Sequence, residues 1–162
     1  MRGYSCIGLW QPKDSNNIGS VLRAAGCFGS AFVAVAGGRY SGASTDTQKT
    51  YRHIPLIETT DLRQVLPKDC VPIAVDLILE AQPLMNFWHP ERAFYIFGGE
   101  DRTLDNDILA WCKERIFIPS NYCLNLAAAI NVVLYDRHAK RSKGVQSTRE
   151  PYQWPHEKEE TP

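Results

Sequence analysis

Three short stretches carry side chains whose types and spacing could do chemistry. The first, NNIGSVLRAAGCFG (16–29), sets Arg23 off the apolar helical face made by Ile18, Val21, Leu22, Ala25 and Phe28. Such an arginine is either a solvated surface cation or a planar fork aimed at a phosphate or a nucleophilic hydroxyl. Asn17, at the head of the run, reads as a helix N-cap or as a brace for an active-site turn. The second stretch, FGGEDRTL (97–104), places Gly98 and Gly99 directly after an apolar strand. Paired glycines there form a plain strand-to-helix turn or let a ligand approach the backbone, and Glu100 then stands at the strand's carboxyl end, where a ligand crevice opens.

The third stretch, IPSNYCLNLAAAINVVLYD (118–136), is apolar yet keeps Asn121, Asn125 and Asn131. A buried amide needs hydrogen-bond partners, so these residues either stitch the interior together or face a ligand. Asn125 falls where a helix would start and is a cap or part of a binding turn. Asn131 reads as a satisfied core amide or a subunit contact. Cys123 has no histidine near it in sequence and reads as an inert small residue rather than a nucleophile.

The elements that must position these residues alternate. CIGLW, AFVAVAGG, HIPLIE, VPIAVD, AFYIFG and RIFIP read as short buried strands. NIGSVLRAAGCF, TDLRQVL and LDNDILAWCKE read as helices, and a last helix runs from Leu124 to about Arg141. Asn17 is the expected cap of the first helix and Gly29 its stop. The last helix is apolar nearly all round as far as Tyr135, so one face is expected on the sheet and the other against a second subunit. This alternation implies an α/β domain with a mainly parallel sheet flanked by helices. One domain is expected over 1–143, followed by a flexible tail over 144–162.

Bulk properties narrow the classes. The chain has 162 residues, 18 basic and 18 acidic, so overall charge does not mark a nucleic-acid binder and any such surface must be local. Five cysteines without a C-x-x-C or Cys/His cluster argue against a disulfide framework and a zinc site, and suit a reducing cytoplasm. No long apolar run suggests a leader or a membrane span. The G-x-G-x-x-G fingerprint and the P-loop are both missing, which disfavours a dinucleotide fold or a general nucleotide-binding domain.

Taken in order, N-I-G-S-V-L-R-A-A-G-C-F-G, I-F-G-G-E-D-R-T-L and I-P-(x)-C-L-N-L-A-A-A resemble the three motifs of the SpoU-type, TrmH-like RNA 2′-O-ribose methyltransferases of the SPOUT superfamily. The resemblance covers about residues 5 to 140. It implies an S-adenosylmethionine-dependent, usually dimeric enzyme with a deep C-terminal trefoil knot, acting on transfer RNA or ribosomal RNA; a non-catalytic knotted RNA-binding relative is the alternative. It assigns Gly98, Ile118, Cys123, Leu124 and Leu77 to the cofactor pocket. Arg23 matches the arginine that handles the ribose hydroxyl, and Asn17, Glu100 and Asn125 match the family's polar site positions. Cys123 stands where the family commonly has serine, and the loop before it is shorter than in many relatives.

On that reading no metal is required. Arg23 would stabilise alkoxide character and grip a phosphate rather than act as a base, because a guanidinium stays protonated. Glu100 and Asn125 would support the site. RNA would be tracked by Arg39, Lys49, Arg52 and His53 early in the chain. A second basic group, Arg137, His138, Lys140, Arg141 and Lys143, would serve at the end of the last helix, where cations also complement the helix dipole.

Overall fold

The computed structural model describes residues 3–38 and 54–142. Seven strands form one sheet: β1 (Tyr4–Trp10), β2 (Val33–Ala36), β3 (Leu56–Thr59), β4 (Val71–Val75), β5 (Gln82–Pro83), β6 (Arg92–Phe97) and β7 (Glu114–Phe117). Their order across the sheet is β3-β2-β1-β6-β4-β7-β5, and every pairing is parallel. Among the described residues three helices, α1 (Ser15–Cys27), α2 (Asn106–Trp111) and α3 (Leu126–Arg141), supply the cover a parallel sheet needs.

Alternation along the strands explains the two cores. Ile7, Leu9, Tyr95 and Phe97 point to one face, where Val21 and Leu22 of α1 and Ile130, Val133 and Leu134 of α3 pack on them. Cys6, Phe94 and Ile96 point to the other, against Leu62, Leu104 and Ile108. The expected α/β domain with a mainly parallel sheet is what the chain forms. Among the described residues no helix is long and apolar enough to cross a membrane.

Several local expectations change. TDLRQVL is only a 3-10 turn at Leu62–Val65, started by Asp61, whose carboxylate accepts from the Arg63 amide. α2 is six residues long because Cys112 leaves helical geometry at ψ 130°. The edge strand β5 and the 3-10 turn Leu84–Asn86 that follows it carry no periodic signal, and were not expected. Asp14, not Asn17, caps α1: its carboxylate accepts from the Asn16 amide at 2.8 Å. α3 begins at Leu126, two residues later than expected, capped by Asn125.

Candidate active site

The carboxyl ends of three neighbouring strands, β6, β4 and β7, open onto one cavity. Open α/β sheets place ligand sites at these ends of their strands. Val75, Phe97 and Phe117 end β4, β6 and β7; Asp76 and Leu77 follow β4, Gly98, Gly99, Glu100 and Arg102 follow β6, and Ile118 and Ser120 follow β7. Cys123 and Leu124, on the loop before α3, and Leu126 and Ala129 of α3 close the wall. Its volume is about 710 Å³ with the open mouth included. All five positions expected in a cofactor pocket, Leu77, Gly98, Ile118, Cys123 and Leu124, line it together.

The loop after β6 is folded tightly on itself. A Cβ placed on Gly98 would stand 2.8 Å from the Arg102 carbonyl oxygen, too close for any side chain to fit without moving backbone. That is the physical reason for glycine here, and it was not visible in the Gly-Gly pair alone. Asp76 pins the same loop to its neighbour. Its carboxylate accepts from the Leu77 amide at 2.7 Å and from the Leu104 amide at 2.7 Å, so one side chain ties the segment after β4 to the end of the loop after β6. Sequence reading missed Asp76, although an aspartate one residue past a buried strand is a usable signal for a loop brace.

Glu100 joins the first and second motifs. Its Oε1 accepts from the Asn17 side-chain amide at 2.5 Å and its Oε2 from the Lys13 backbone at 2.8 Å. Partial burial would raise its pKa, but these donors outweigh that and hold Glu100 below the usual carboxylate range. Glu100 is therefore an anion with both oxygens occupied, suited to bracing the loop after β1 and not to taking a proton. Of the two readings of Asn17, the cap falls to Asp14, and the side chain instead braces this turn through Glu100.

Asn125 does cap α3, its Oδ1 accepting from the Ala128 amide at 2.7 Å, and it lies outside the cavity lining. The stretch before α3 is not buried: residues 121–125 are exposed. Asn131, expected as a core amide or subunit contact, is exposed too and donates to the Ala127 carbonyl one turn back at 2.8 Å. Arg23 is exposed on α1 and is not among the residues lining the cavity.

The basic end of α3 needs correction. Arg137 is only 4% exposed. Its guanidinium donates to the carbonyls of Pro90 (2.6 Å), Glu91 (2.7 Å) and Tyr4 (3.1 Å). Those bonds remove Arg137 from any RNA surface. Arg141 turns inward as well, donating to the His89 carbonyl at 3.1 Å, and Lys140 donates to Leu84 and Phe87. These cations clasp the carbonyls of the segment before β6, whereas His138 of the same group is exposed. Arg39, Lys49, Arg52, His53 and Lys143 lie outside the described residues.

With this geometry in place, comparison with known proteins is informative. A family model described as the SpoU rRNA Methylase family matches residues 5–135. The chain belongs to that family. Among curated protein sequences none matches. The SpoU methyltransferase AviRb from Streptomyces viridochromogenes superposes with a TM-score of 0.73 at 19% identity, over 87% of this chain and 61% of its own, and has also been solved with AdoMet. This chain thus spans about three-fifths of AviRb. The A. aeolicus TrmH/SpoU tRNA modifying enzyme gives 0.74 at 16% identity, over 85% of this chain and 75% of its own. A protein whose structure addresses 2-OH methylation of C/U34 on tRNA gives 0.72 at 22% identity, over 85% of this chain and 96% of its own. At these identities the likeness establishes the shared fold.

Proposed function

We propose that the protein is an S-adenosylmethionine-dependent RNA methyltransferase that modifies a ribose 2′-hydroxyl, with transfer RNA as substrate. The observation that carries this reading is the convergence of the three motif segments: the loops after β6 and β7 wall one cavity, and Glu100 fastens Asn17 of the first motif to its rim. The walls suit the cofactor. Leu77, Ile118 and Leu124 offer apolar surface for a flat base, while Gly98 and Cys123 bring backbone close. Cys123 serves through its main chain, where serine and cysteine are equivalent. When bound, S-adenosylmethionine supplies a methyl group already activated on sulfur.

The remaining task of the protein is alignment and charge. Holding acceptor and donor in line is worth roughly 7–11 kcal/mol in the best intramolecular models. Arg23 would favour the developing alkoxide and hold an adjacent phosphate. It is exposed on α1 and absent from the cavity lining, so on this reading it would serve the cavity of a second copy. A homodimer supports this arrangement. Val132 and Tyr135 on α3 and Tyr122 and Leu124 before it are exposed apolar side chains, and Phe28 of α1 packs edge-on to Tyr135 at 6.4 Å. A second copy on this face would bring Arg23 toward the partner's cavity. The knotted path that the family resemblance implies belongs to this reading, as does a cytoplasmic setting for five free cysteines.

The test is incubation with methyl-labelled S-adenosylmethionine and separate transfer and ribosomal RNA pools, followed by mapping of alkali-resistant linkages. Label in resistant dinucleotides of transfer RNA is expected. Label confined to ribosomal RNA overturns the substrate, label in bases overturns the acceptor, and cofactor binding without any label points to a binding relative.

A further inference from the structure

Resting on that reading, we propose that Arg102 receives a backbone phosphate of the RNA at the mouth of the cavity, and that Gln11 holds its guanidinium ready. Among the described residues Arg102 is the one cation in the cavity lining. The two acids of that lining are engaged elsewhere: Asp76 with the Leu77 and Leu104 amides, Glu100 with Asn17 and Lys13. Within the described residues the Arg102 side chain has no carboxylate partner. Its one hydrogen bond runs from Nη1 to the neutral Oε1 of Gln11 at 3.3 Å. A guanidinium carries five N–H donors in a fixed fork, so most remain for an incoming group, and a phosphate matches that fork.

Gln11 is built for this position. It follows β1 at φ 51°, a conformation few residues other than glycine adopt. Its backbone N–H donates to the Ala36 carbonyl at 2.8 Å, fixing the turn against the end of β2. A Cβ on Gly37 would come within 3.1 Å of the Gln11 Cγ, so the glycine leaves room for that side chain. Strained backbone that the surroundings over-determine collects at functional sites. A glutamine orients the fork without neutralising it, whereas a carboxylate there would consume the charge. Arg102 is exposed and open to a polymer lying across the mouth.

The experiment measures RNA affinity against salt by filter binding, S-adenosylhomocysteine affinity by calorimetry, and methylation by the native protein in parallel. Arg102→Gln should weaken RNA binding about tenfold or more at low salt and flatten the plot of log affinity against log salt by about 0.7. S-adenosylhomocysteine affinity should stay within twofold. Gln11→Glu keeps the side-chain shape but pairs the guanidinium, and should reproduce the flattening. Arg102→Lys should keep the slope while losing part of the affinity. If the native protein methylates RNA and Arg102→Gln leaves the slope unchanged, the phosphate contact is refuted and the enzyme reading stands. If the loss falls on S-adenosylhomocysteine instead, the anion is the donor's carboxylate and the proposal is wrong. A native protein that neither binds nor methylates RNA removes both.

Discussion

Asp76 is the residue whose removal most directly asks whether the cavity is held in shape by its loops. Asp76→Asn keeps the volume and one carbonyl acceptor. The side-chain NH2 then faces the Leu77 or the Leu104 amide, donor against donor, where a carboxylate accepted from both at 2.7 Å. Losing a hydrogen bond to a charged acceptor costs about 1.5–3 kcal/mol. If the cost falls on the closed arrangement of the two loops, donor affinity drops roughly ten- to 150-fold, at 1.4 kcal/mol per decade. Calorimetry with S-adenosylhomocysteine, beside a thermal melt, reads both effects. A variant that melts lower but binds within twofold of the native protein would refute the reasoning: the carboxylate would then stabilise the fold without shaping the pocket.

Three further expectations follow from the same geometry. Gly98→Ala forces a Cβ against the Arg102 carbonyl oxygen and should cost about 1–3 kcal/mol of stability as well as donor binding, checked by urea denaturation and calorimetry. His89 is fully buried; burial lowers its pKa to about 4, against the opposing pull of Asp136. The unfolded chain protonates near 6.5 and the folded one only near 4, so the unfolded state binds more protons between those values. Stability should therefore be intact above pH 6.5 and fall as pH drops toward 4, by about 3 kcal/mol; a His89→Gln variant should show a flatter profile in urea melts across this range. Arg137→Met should strip the Pro90, Glu91 and Tyr4 carbonyls of their donor and lower stability by roughly 3 kcal/mol or more, yet leave the salt dependence of RNA binding unchanged.

The sheet and the pocket were legible because their signals are local. Alternating apolar runs mark strands, and the second and third motif segments carry most of the residues that line the cavity. What stayed hidden depends on partners distant in sequence. Arg137 sits in DRHAKRSK, a string any reader would solvate, and only the fold shows that carbonyls of residues 90, 91 and 4 surround it. Asn17 reads as a cap because caps are local, but its partner Glu100 lies 83 positions away. The asparagines of 121–131 looked buried for the opposite reason. Their apolar neighbours suggested burial, while the chain there is first a loop and then the outward side of α3. Arg23 stands out by type and motif order, but its absence from the cavity lining is visible only in the fold.

The inward turn of Arg137 reaches beyond packing. The carbonyl of Tyr4, at the start of the first strand, is satisfied by a donor 133 positions later, and that strand's neighbour β6 begins only at Arg92. During synthesis, β1 must therefore wait with one side bare until the segment from Arg92 has emerged, and its opening residue waits longer still. Long-separation pairings of this kind make for slow maturation and a prolonged window in which an unpartnered apolar edge is open to the wrong neighbours.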